Sequence, residues 1–217
     1  METARAMQDA SPMAEKKEWW TTPTVLGLMG FGLTTMLAGL SNLPPPYANG
    51  LTYNWVVFGT AIFFGGIAQL LAGLIGLRKG NLFAGTAFVG YGSFWMAFTA
   101  MLASFGPAFG GFGPTAITNP AAPYGVAAFF FVWVLFTLTF LINSMKHGWG
   151  IFFVFLFLFV SLILLTVKFW QIGAGDSISK GEDWAVGGLI TLTGLTAWYV
   201  ATSDLTNSSY GKTLLPS

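Results

Sequence analysis

The sequence contains no cysteine, a single histidine and few charged residues. Without cysteine the chain cannot form a disulfide framework, a thiolate metal site or a redox pair. The lone His147 has no second histidine to complete a metal or haem site, so we expect no metal and no cofactor. Charged residues make up only 8% of the 217 residues, whereas soluble domains contain about 25%. The net charge of +1 does not indicate a nucleic-acid partner.

Charge is missing from four long stretches of the chain. Asp, Glu, Lys and Arg are all absent from residues 19–77, 80–145, 148–167 and 184–203. A transmembrane helix needs about 20 mostly apolar residues, so the first two stretches can each hold two helices and the last two can hold one each. The sequence therefore predicts an all-α integral membrane protein. The six predicted transmembrane helices are 24–43, 55–77, 82–104, 124–144, 149–170 and 185–203.

Turn-forming residues separate these predicted helices. The prolines at 44–46 cannot continue a helix, because proline lacks the backbone N–H and clashes with the preceding turn. Residues 78–81 and 146–148 each contain a glycine and predict short turns, and residues 105–123 predict a long loop rich in glycine and proline.

The basic residues predict the orientation of the chain in the membrane. Seven of the nine lie on one side of the predicted helices, and only Lys168 and Lys180 lie on the other. Basic residues near helix ends stay on the cytoplasmic side, so we expect both termini in the cytoplasm. The first 18 residues lack the apolar core of a signal peptide. We therefore expect a multi-pass plasma-membrane protein with a cytoplasmic tail over 1–21, a transmembrane domain over 22–204 and a second cytoplasmic tail over 205–217.

Glycine recurs at intervals of seven residues, which is close to two helical turns. Each such set lies along one stripe of a helix, and small residues on a stripe let two helix backbones approach closely in lipid. This spacing predicts a compact bundle, although glycine is also generally common in membrane helices. The glycines are Gly59, Gly66, Gly73 and Gly80, then Gly85 and Gly92, then Gly187 and Gly194.

Several polar residues fall inside or beside the predicted helices. An unpartnered polar group in hydrocarbon is costly, so such residues tend to face a bundle interior or a wet cavity, or else they hydrogen-bond neighbouring helices. The start of the first helix at Thr22-Pro23-Thr24 exposes N–H groups that suit a carboxylate, or it is an ordinary helix cap. The polar residues are Asn42, Gln69, Tyr91, Asn143 and Tyr199.

The remaining charged residues are predicted to lie at the periphery of the transmembrane domain. Asp176, Glu182 and Asp183 fall in the predicted fifth loop and read as a solvated cluster and not as a catalytic pair. Lys168 and Asp204 lie at opposite helix ends, where side chains reach towards the membrane interface. We expect no enzyme activity.

A series of motifs, taken in order, resembles the acetate uptake transporter family. The resemblance covers the chain from about residue 22 to the C-terminus, although Thr22 stands where the family's first motif has an asparagine. The motifs are Leu26-Gly27-Leu28-Met29-Gly30-Phe31-Gly32-Leu33-Thr34-Thr35, Gly65-Gly66-Ile67-Ala68-Gln69, Lys79-Gly80-Asn81, Tyr91-Gly92-Ser93-Phe94-Trp95, Ala197-Trp198-Tyr199 and Gly211-Lys212-Thr213-Leu214-Leu215-Pro216.

The resemblance implies six helices per subunit, a homohexameric ring in membrane lipid, and a pathway through each protomer. It also implies a narrow apolar constriction formed by Phe31, Tyr91 and Leu158. The pathway residues expected from the motifs and from the polar positions together are Thr22, Pro23, Thr24, Gly27, Asn42, Gln69, Trp95, Ala197 and Tyr199.

The predicted function is transmembrane passage of acetate and similar small monocarboxylates, with succinate as a further candidate substrate. The predicted membrane interiors contain no Asp, Glu, Lys, Arg or His, so a side-chain proton relay is hard to build. This absence favours channel-like passage of the anion. The alternatives are a proton-coupled acetate symporter and a channel for small neutral solutes such as ammonia or water. Outside transport, the alternatives are a membrane receptor or scaffold and a membrane enzyme.

Overall fold

The computed structural model describes residues 23–44, 56–104 and 122–216, and within these ranges all regular secondary structure is helical. Each predicted segment contains one long helix, and the all-α class is confirmed. Residues 1–22, 45–55, 105–121 and 217 lie outside the described residues, and these include Thr22 and most of the two long predicted loops. The helices are α1 Thr24–Ser41, α2 Val56–Arg78, α3 Leu82–Ser104, α4 Ala122–Ser144, α5 Trp149–Ala174 and α6 Lys180–Tyr210.

Five of these helices are long and apolar enough to cross a membrane. They are α1, α2, α4, α5 and α6, with 18 to 31 residues each. The most apolar is α5, whose mean hydropathy reaches 2.9 over an 18-residue window. The remaining helix, α3, has 23 residues and lies between α2 and α4 in the chain, but it is not among these five. The prediction of six spans therefore stays a prediction.

The short turns form where the sequence predicts them. Gly80 has a φ of 79°, a left-handed conformation that a side chain disfavours, and it ends α2. Asn81 then accepts a hydrogen bond from the backbone N–H of Ala84 at 3.0 Å and starts α3. Gly148 also has a left-handed conformation, with a φ of 94°, and it directly precedes α5.

The last helix is longer at both ends than the predicted 185–203. It begins after Ser179, whose hydroxyl accepts from the N–H of Glu182 at 3.2 Å while the Glu182 carboxylate accepts from the N–H of Ser179 at 2.7 Å. This reciprocal capping box turns the charged residues 180–183 into the first helical turn. The interpretation of Glu182 and Asp183 as loop residues is therefore wrong, whereas Asp176 does lie in the loop.

Glycines bring the helix backbones together. A Cβ placed on Gly32 of α1 would lie 2.9 Å from the carbonyl oxygen of Gly194 in α6, so the two helices touch backbone to backbone. Gly73 of α2 faces Gly85 of α3 in the same way, at 2.9 Å. The predicted stripes hold at Gly73, Gly85 and Gly194 but not at Gly59 and Gly80, around which a Cβ would meet nothing within 4 Å.

The middle of α2 is a π-helix over Ala61–Ala68, which the sequence analysis did not predict. Its wider turns lie against α1 and α3, where a Cβ on Gly65 would lie 2.8 Å from the Thr34 side chain and 2.9 Å from the Trp95 ring. Gln69 follows directly after the π-helix. π-Helical turns inside α-helices occur frequently at functional sites.

Candidate functional site: two cavities that meet at Phe31 and Tyr91

Two cavities of about 200 Å³ each lie inside the described bundle, and both are bordered by Phe31 and Tyr91. We call them the Asn42 cavity and the Asp204 cavity after a polar residue in each. The Asn42 cavity is lined by Phe31, Thr35, Ala38, Ser41, Asn42, Val57, Tyr91, Phe94, Trp95, Phe98, Phe130, Trp133, Leu158, Ser161, Leu162, Leu165, Phe169 and Ile190. The Asp204 cavity is lined by Thr24, Leu28, Phe31, Gln69, Asn81, Phe83, Ala84, Ala87, Phe88, Tyr91, His147, Ile151, Val154, Phe155 and Asp204.

Phe31 and Tyr91 lie between the two cavities as a pair of packed rings. Their ring centroids are 5.5 Å apart at an interplanar angle of 57°, and each side chain is no more than 5% exposed. The Tyr91 hydroxyl shares a hydrogen bond of 2.8 Å with the Thr137 hydroxyl of α4. This bond fixes the ring, because a buried hydroxyl without a partner costs about 1–3 kcal/mol.

Leu158 of α5 lines the Asn42 cavity together with Phe31 and Tyr91. The three residues predicted to form the constriction thus come from α1, α3 and α5 and meet around one cavity. Leu158 is not among the residues that line the Asp204 cavity.

The Asn42 cavity combines an aromatic wall with a few polar groups. Asn42 is fixed at the end of α1, because its amide nitrogen donates to the carbonyl of Ala38 at 2.9 Å. Ser161 lies 3.4 Å from the Thr193 hydroxyl. Within the described ranges, the Trp95 indole N–H and the Thr35 hydroxyl have no hydrogen-bond partner. A small polar solute in this cavity would find these groups available.

The Asp204 cavity contains a fully buried amide. Gln69 is 0% exposed, and neither its amide nitrogen nor its amide oxygen has a partner among the residues that the structure describes. Buried polar groups in folded proteins are almost always hydrogen-bonded, so an unpaired amide beside a cavity suits a polar solute. Thr24 and Asn81 add two further polar side chains to the lining.

Two ionisable side chains also line the Asp204 cavity. The His147 ring stacks on Phe83 with centroids 3.9 Å apart and planes 20° apart. Asp204 is partly buried on α6. The prediction that Asp204 lies at the end of the sixth helix is wrong, because the helix continues past it to Tyr210, and Asp204 lines the cavity.

Lys168 is also less peripheral than the sequence suggests. Its ammonium lies 2.9 Å from the Asp183 carboxylate and donates to the Asn42 side-chain oxygen at 3.3 Å. The side chain is only 15% exposed. Lys168 therefore links α5 to both α1 and α6 beside the Asn42 cavity.

Several predicted pathway residues do not line either cavity. Gly27 lies against Phe88, where a Cβ would come within 2.5 Å of the ring. Ala197 of α6 is fully buried against α1 near Gly32. Tyr199 is 40% exposed, and its hydroxyl donates to the carbonyl of Pro216 at 2.9 Å. Pro23 is likewise absent from both linings.

The sequence analysis missed His147 and Asp204 as cavity residues. A signal was available, because the predicted topology puts the turn with Asn81, the turn with His147 and the end of the sixth helix on one side of the membrane. Thr35 and Ser161 were also missed. Thr35 ends the first family motif, whereas a hydroxyl such as that of Ser161 inside a long apolar helix gives no comparable signal.

Known proteins of one family match nearly the whole chain. Residues 6–216 match the model of the GPR1/FUN34/yaaH family. The succinate-acetate/proton symporter SatP of Escherichia coli is 35% identical over 194 residues, which span 89% of this chain and 93% of the symporter. Acetate permease A of Emericella nidulans is 32% identical over 203 residues, which span 91% of this chain and 65% of the permease.

A solved structure has the same fold. The bacterial acetate channel SatP superposes with a TM-score of 0.74 at 34% identity, over 91% of this chain and 98% of that one. These relatives are described as transporters or channels, in agreement with the prediction that the chain is not an enzyme. The family match and these identities show that the chain belongs to the GPR1/FUN34/yaaH family.

Proposed function

We propose that this protein passes acetate and similar small monocarboxylates across a membrane, along a route through the two cavities. The observation that carries the proposal is the pair of cavities that meet at Phe31 and Tyr91. A route with a cavity at each end and one apolar step between them fits a selective pathway for small solutes. The names of the bacterial symporter, the fungal permease and the solved channel support acetate as the substrate.

The chemistry of the linings favours a small carboxylate over most other solutes. At the step itself the phenyl ring of Phe31 and the side chain of Leu158 offer no hydrogen bond, and the Tyr91 hydroxyl is already bonded to Thr137. A hydrated ion would have to lose its water there without replacement. Acetate has one apolar end that fits the step, and its carboxylate can be solvated by groups such as Gln69 before and after it.

The experiment is uptake of radiolabelled acetate into proteoliposomes that contain the purified protein. We expect saturable uptake that protein-free liposomes lack, with competition by propionate. A receptor or scaffold would give no flux, and a membrane enzyme would give a new product in the lumen. If water or ammonia crosses readily while acetate does not, the neutral-solute channel is correct and the proposal fails.

A second candidate, proton-coupled transport of acetate, is favoured by one observation. Asp204 puts a carboxylate on the lining of the Asp204 cavity, where its negative charge repels an acetate anion. Two carboxylates in one small site are stable together when they share a proton. Binding of acetate with a proton would remove the repulsion, and His147 is the other ionisable group in that lining.

Electrical measurement separates the two candidates. Passage of the anion predicts a current in a planar bilayer, with a reversal potential that follows the acetate gradient and hardly changes with pH. Proton-coupled transport with one proton per acetate predicts strong flux without current. In that case the Asp204→Asn variant should still transport acetate, but an inward proton gradient should no longer accelerate this transport.

We also propose the arrangement of the chain in the membrane. Six spans, α1 to α6, with both termini in the cytoplasm agree with the distribution of basic residues. Under this topology residues 1–21 and 205–217 are cytoplasmic, residues 22–204 form the transmembrane domain, and the Asn42 cavity opens to the outside of the plasma membrane. Exposed apolar side chains on α4, among them Phe131, Val132 and Leu135, support contact with lipid or with neighbouring subunits of a homohexamer.

A further inference from the structure

Three helices meet in a polar network beside the Asn42 cavity. Lys168 of α5 contacts Asp183 of α6 at 2.9 Å and donates to the Asn42 side-chain oxygen of α1 at 3.3 Å. Asn42 lines the cavity itself. Lys168 stands between Leu165 and Phe169, which both line the cavity as well. The ammonium group is therefore hydrogen-bonded directly to a residue that lines the cavity.

From this geometry we infer that Lys168 is a docking site for the carboxylate of an incoming substrate, and that Asp183 occupies this site when substrate is absent. The inference rests on the proposed passage of carboxylates. A lysine ammonium has three N–H donors, and the contacts to Asn42 and Asp183 account for two of them. An arriving carboxylate can use the third donor or replace Asp183 as the partner of the ammonium.

The surroundings of Lys168 make such an exchange favourable. The Asp183 side chain is 24% exposed, so it already contacts solvent and can turn towards water when it releases the ammonium. Glu182, the acidic residue next to Asp183, is already bonded to the Gln171 amide at 2.9 Å and to the N–H of Ser179. Glu182 is therefore held by its own partners while Asp183 exchanges. Asn42, which lines the cavity, can remain a partner of the ammonium during this exchange.

A purely structural role for the Lys168–Asp183 pair predicts different behaviour. If the pair only clamps α5 to α6, loss of either partner should impair transport in the same direction. If Lys168 docks the substrate, loss of Lys168 and loss of Asp183 should change the KM for acetate in opposite directions. The opposite signs follow because Asp183 competes with the substrate for the same ammonium.

The test measures the KM for acetate in sealed vesicles of both orientations, for five single variants and one double variant. We expect Lys168→Gln to raise the KM by about three- to tenfold, which is the range for one charge-assisted hydrogen bond at a partly screened site. We expect Asp183→Asn to lower the KM by about two- to fivefold, since it frees the ammonium. Both changes should occur in the orientation that exposes the Asn42 cavity to labelled acetate.

Matched controls separate docking from a general effect of charge. Lys180→Gln and Asp176→Asn remove the same charges from exposed positions at the same end of the bundle, and we expect a KM within about twofold of the parent for both. Lys168→Arg keeps the charge and should keep a KM near that of the parent. Equal KM changes in Lys168→Gln and Lys180→Gln would overturn the inference.

The double variant Lys168→Gln/Asp183→Asn completes the cycle and removes any unpaired charge. It keeps a neutral pair of similar shape, so it remains informative even if the single lysine variant fails to fold. Docking predicts a raised KM, because the gain from Asp183→Asn requires the ammonium. If the double variant has the lowered KM of Asp183→Asn, or if no variant changes the KM while the parent transports acetate, the inference is wrong and the proposed function stands.

Discussion

Replacement of Phe31 by alanine should widen the step between the two cavities. Phe31 borders both cavities, and its ring is one of the two that separate them. Without this ring, Tyr91 is the residue left between the two cavities, and Leu158 lines only the Asn42 cavity. We expect Phe31→Ala to admit longer carboxylates than the parent, so that propionate, lactate and succinate compete better with acetate.

The size of the effect follows from the size of the change. One methyl-scale difference in an apolar pocket shifts discrimination by about 1–3 kcal/mol, or about 10- to 200-fold. Loss of a whole ring creates space for more than one methyl group, but the neighbouring rings partly relax into it. We therefore expect the preference for acetate over propionate to fall by about tenfold, as a relaxed preference and not a new one.

The assay is competition by each carboxylate against radiolabelled acetate uptake in proteoliposomes. Phe140→Ala is the matched control, because Phe140 is as deeply buried, at 7% exposed, and lines neither cavity. A buried phenylalanine-to-alanine change typically costs about 3–5 kcal/mol of stability, and both variants carry that cost. If both variants rank the competitors as the parent does, or if both shift alike, Phe31 does not set the size limit.

Three further predictions concern topology, packing and the constriction. In single-cysteine variants at the exposed Ser177 and Ser208, we expect an impermeant thiol reagent to label position 177 in intact cells and not position 208. Labelling of only position 208 would contradict the proposed topology. Gly32→Val should destabilise the protein by about 1–3 kcal/mol in thermal unfolding, because the facing backbone of α6 cannot move aside. Gly188→Ala is its control, since a Cβ there meets nothing within 4 Å, and an equal loss in both would refute the close-packing argument. Thr137→Val should lower stability by about 1–3 kcal/mol by leaving the constriction tyrosine unpaired, and an unchanged melting temperature would show that its hydroxyl has another partner.

The helices and short turns could be predicted because local chemistry determines them. The charge-free stretches predict the spans, and Gly80 and Gly148 take the positive φ values that end or precede a helix. The start of α6 could not be placed from charge alone, since residues 180–183 resemble a loop until the Ser179–Glu182 capping box is considered. This motif is visible in the sequence as a serine followed three residues later by a glutamate.

The site could be predicted only in part because it depends on contacts between distant segments. Phe31 and Tyr91 stand within motifs, and Gln69 stood out as an amide in an apolar helix. The π-helix before Gln69 has no local sequence signal, because it depends on how α2 packs against Thr34 and Trp95. The network of Lys168 with Asn42 joins residues 126 positions apart, and no local pattern predicts that distance.

The distribution of charge along the proposed route explains why a weak monocarboxylic acid would pass more easily than other anions. Among the described residues, ionisable side chains lie at the ends of the route, with Lys168 and Asp183 beside the Asn42 cavity and Asp204 in the other. Between them the step at Phe31 and Tyr91 offers no charge to an anion that has left its water, and transfer of an unpaired charge into such surroundings is costly. A carboxylate can reduce this cost by taking up one proton, whereas a halide ion cannot. A dicarboxylate such as succinate would need two protons for the same effect, so monocarboxylates are the favoured substrates.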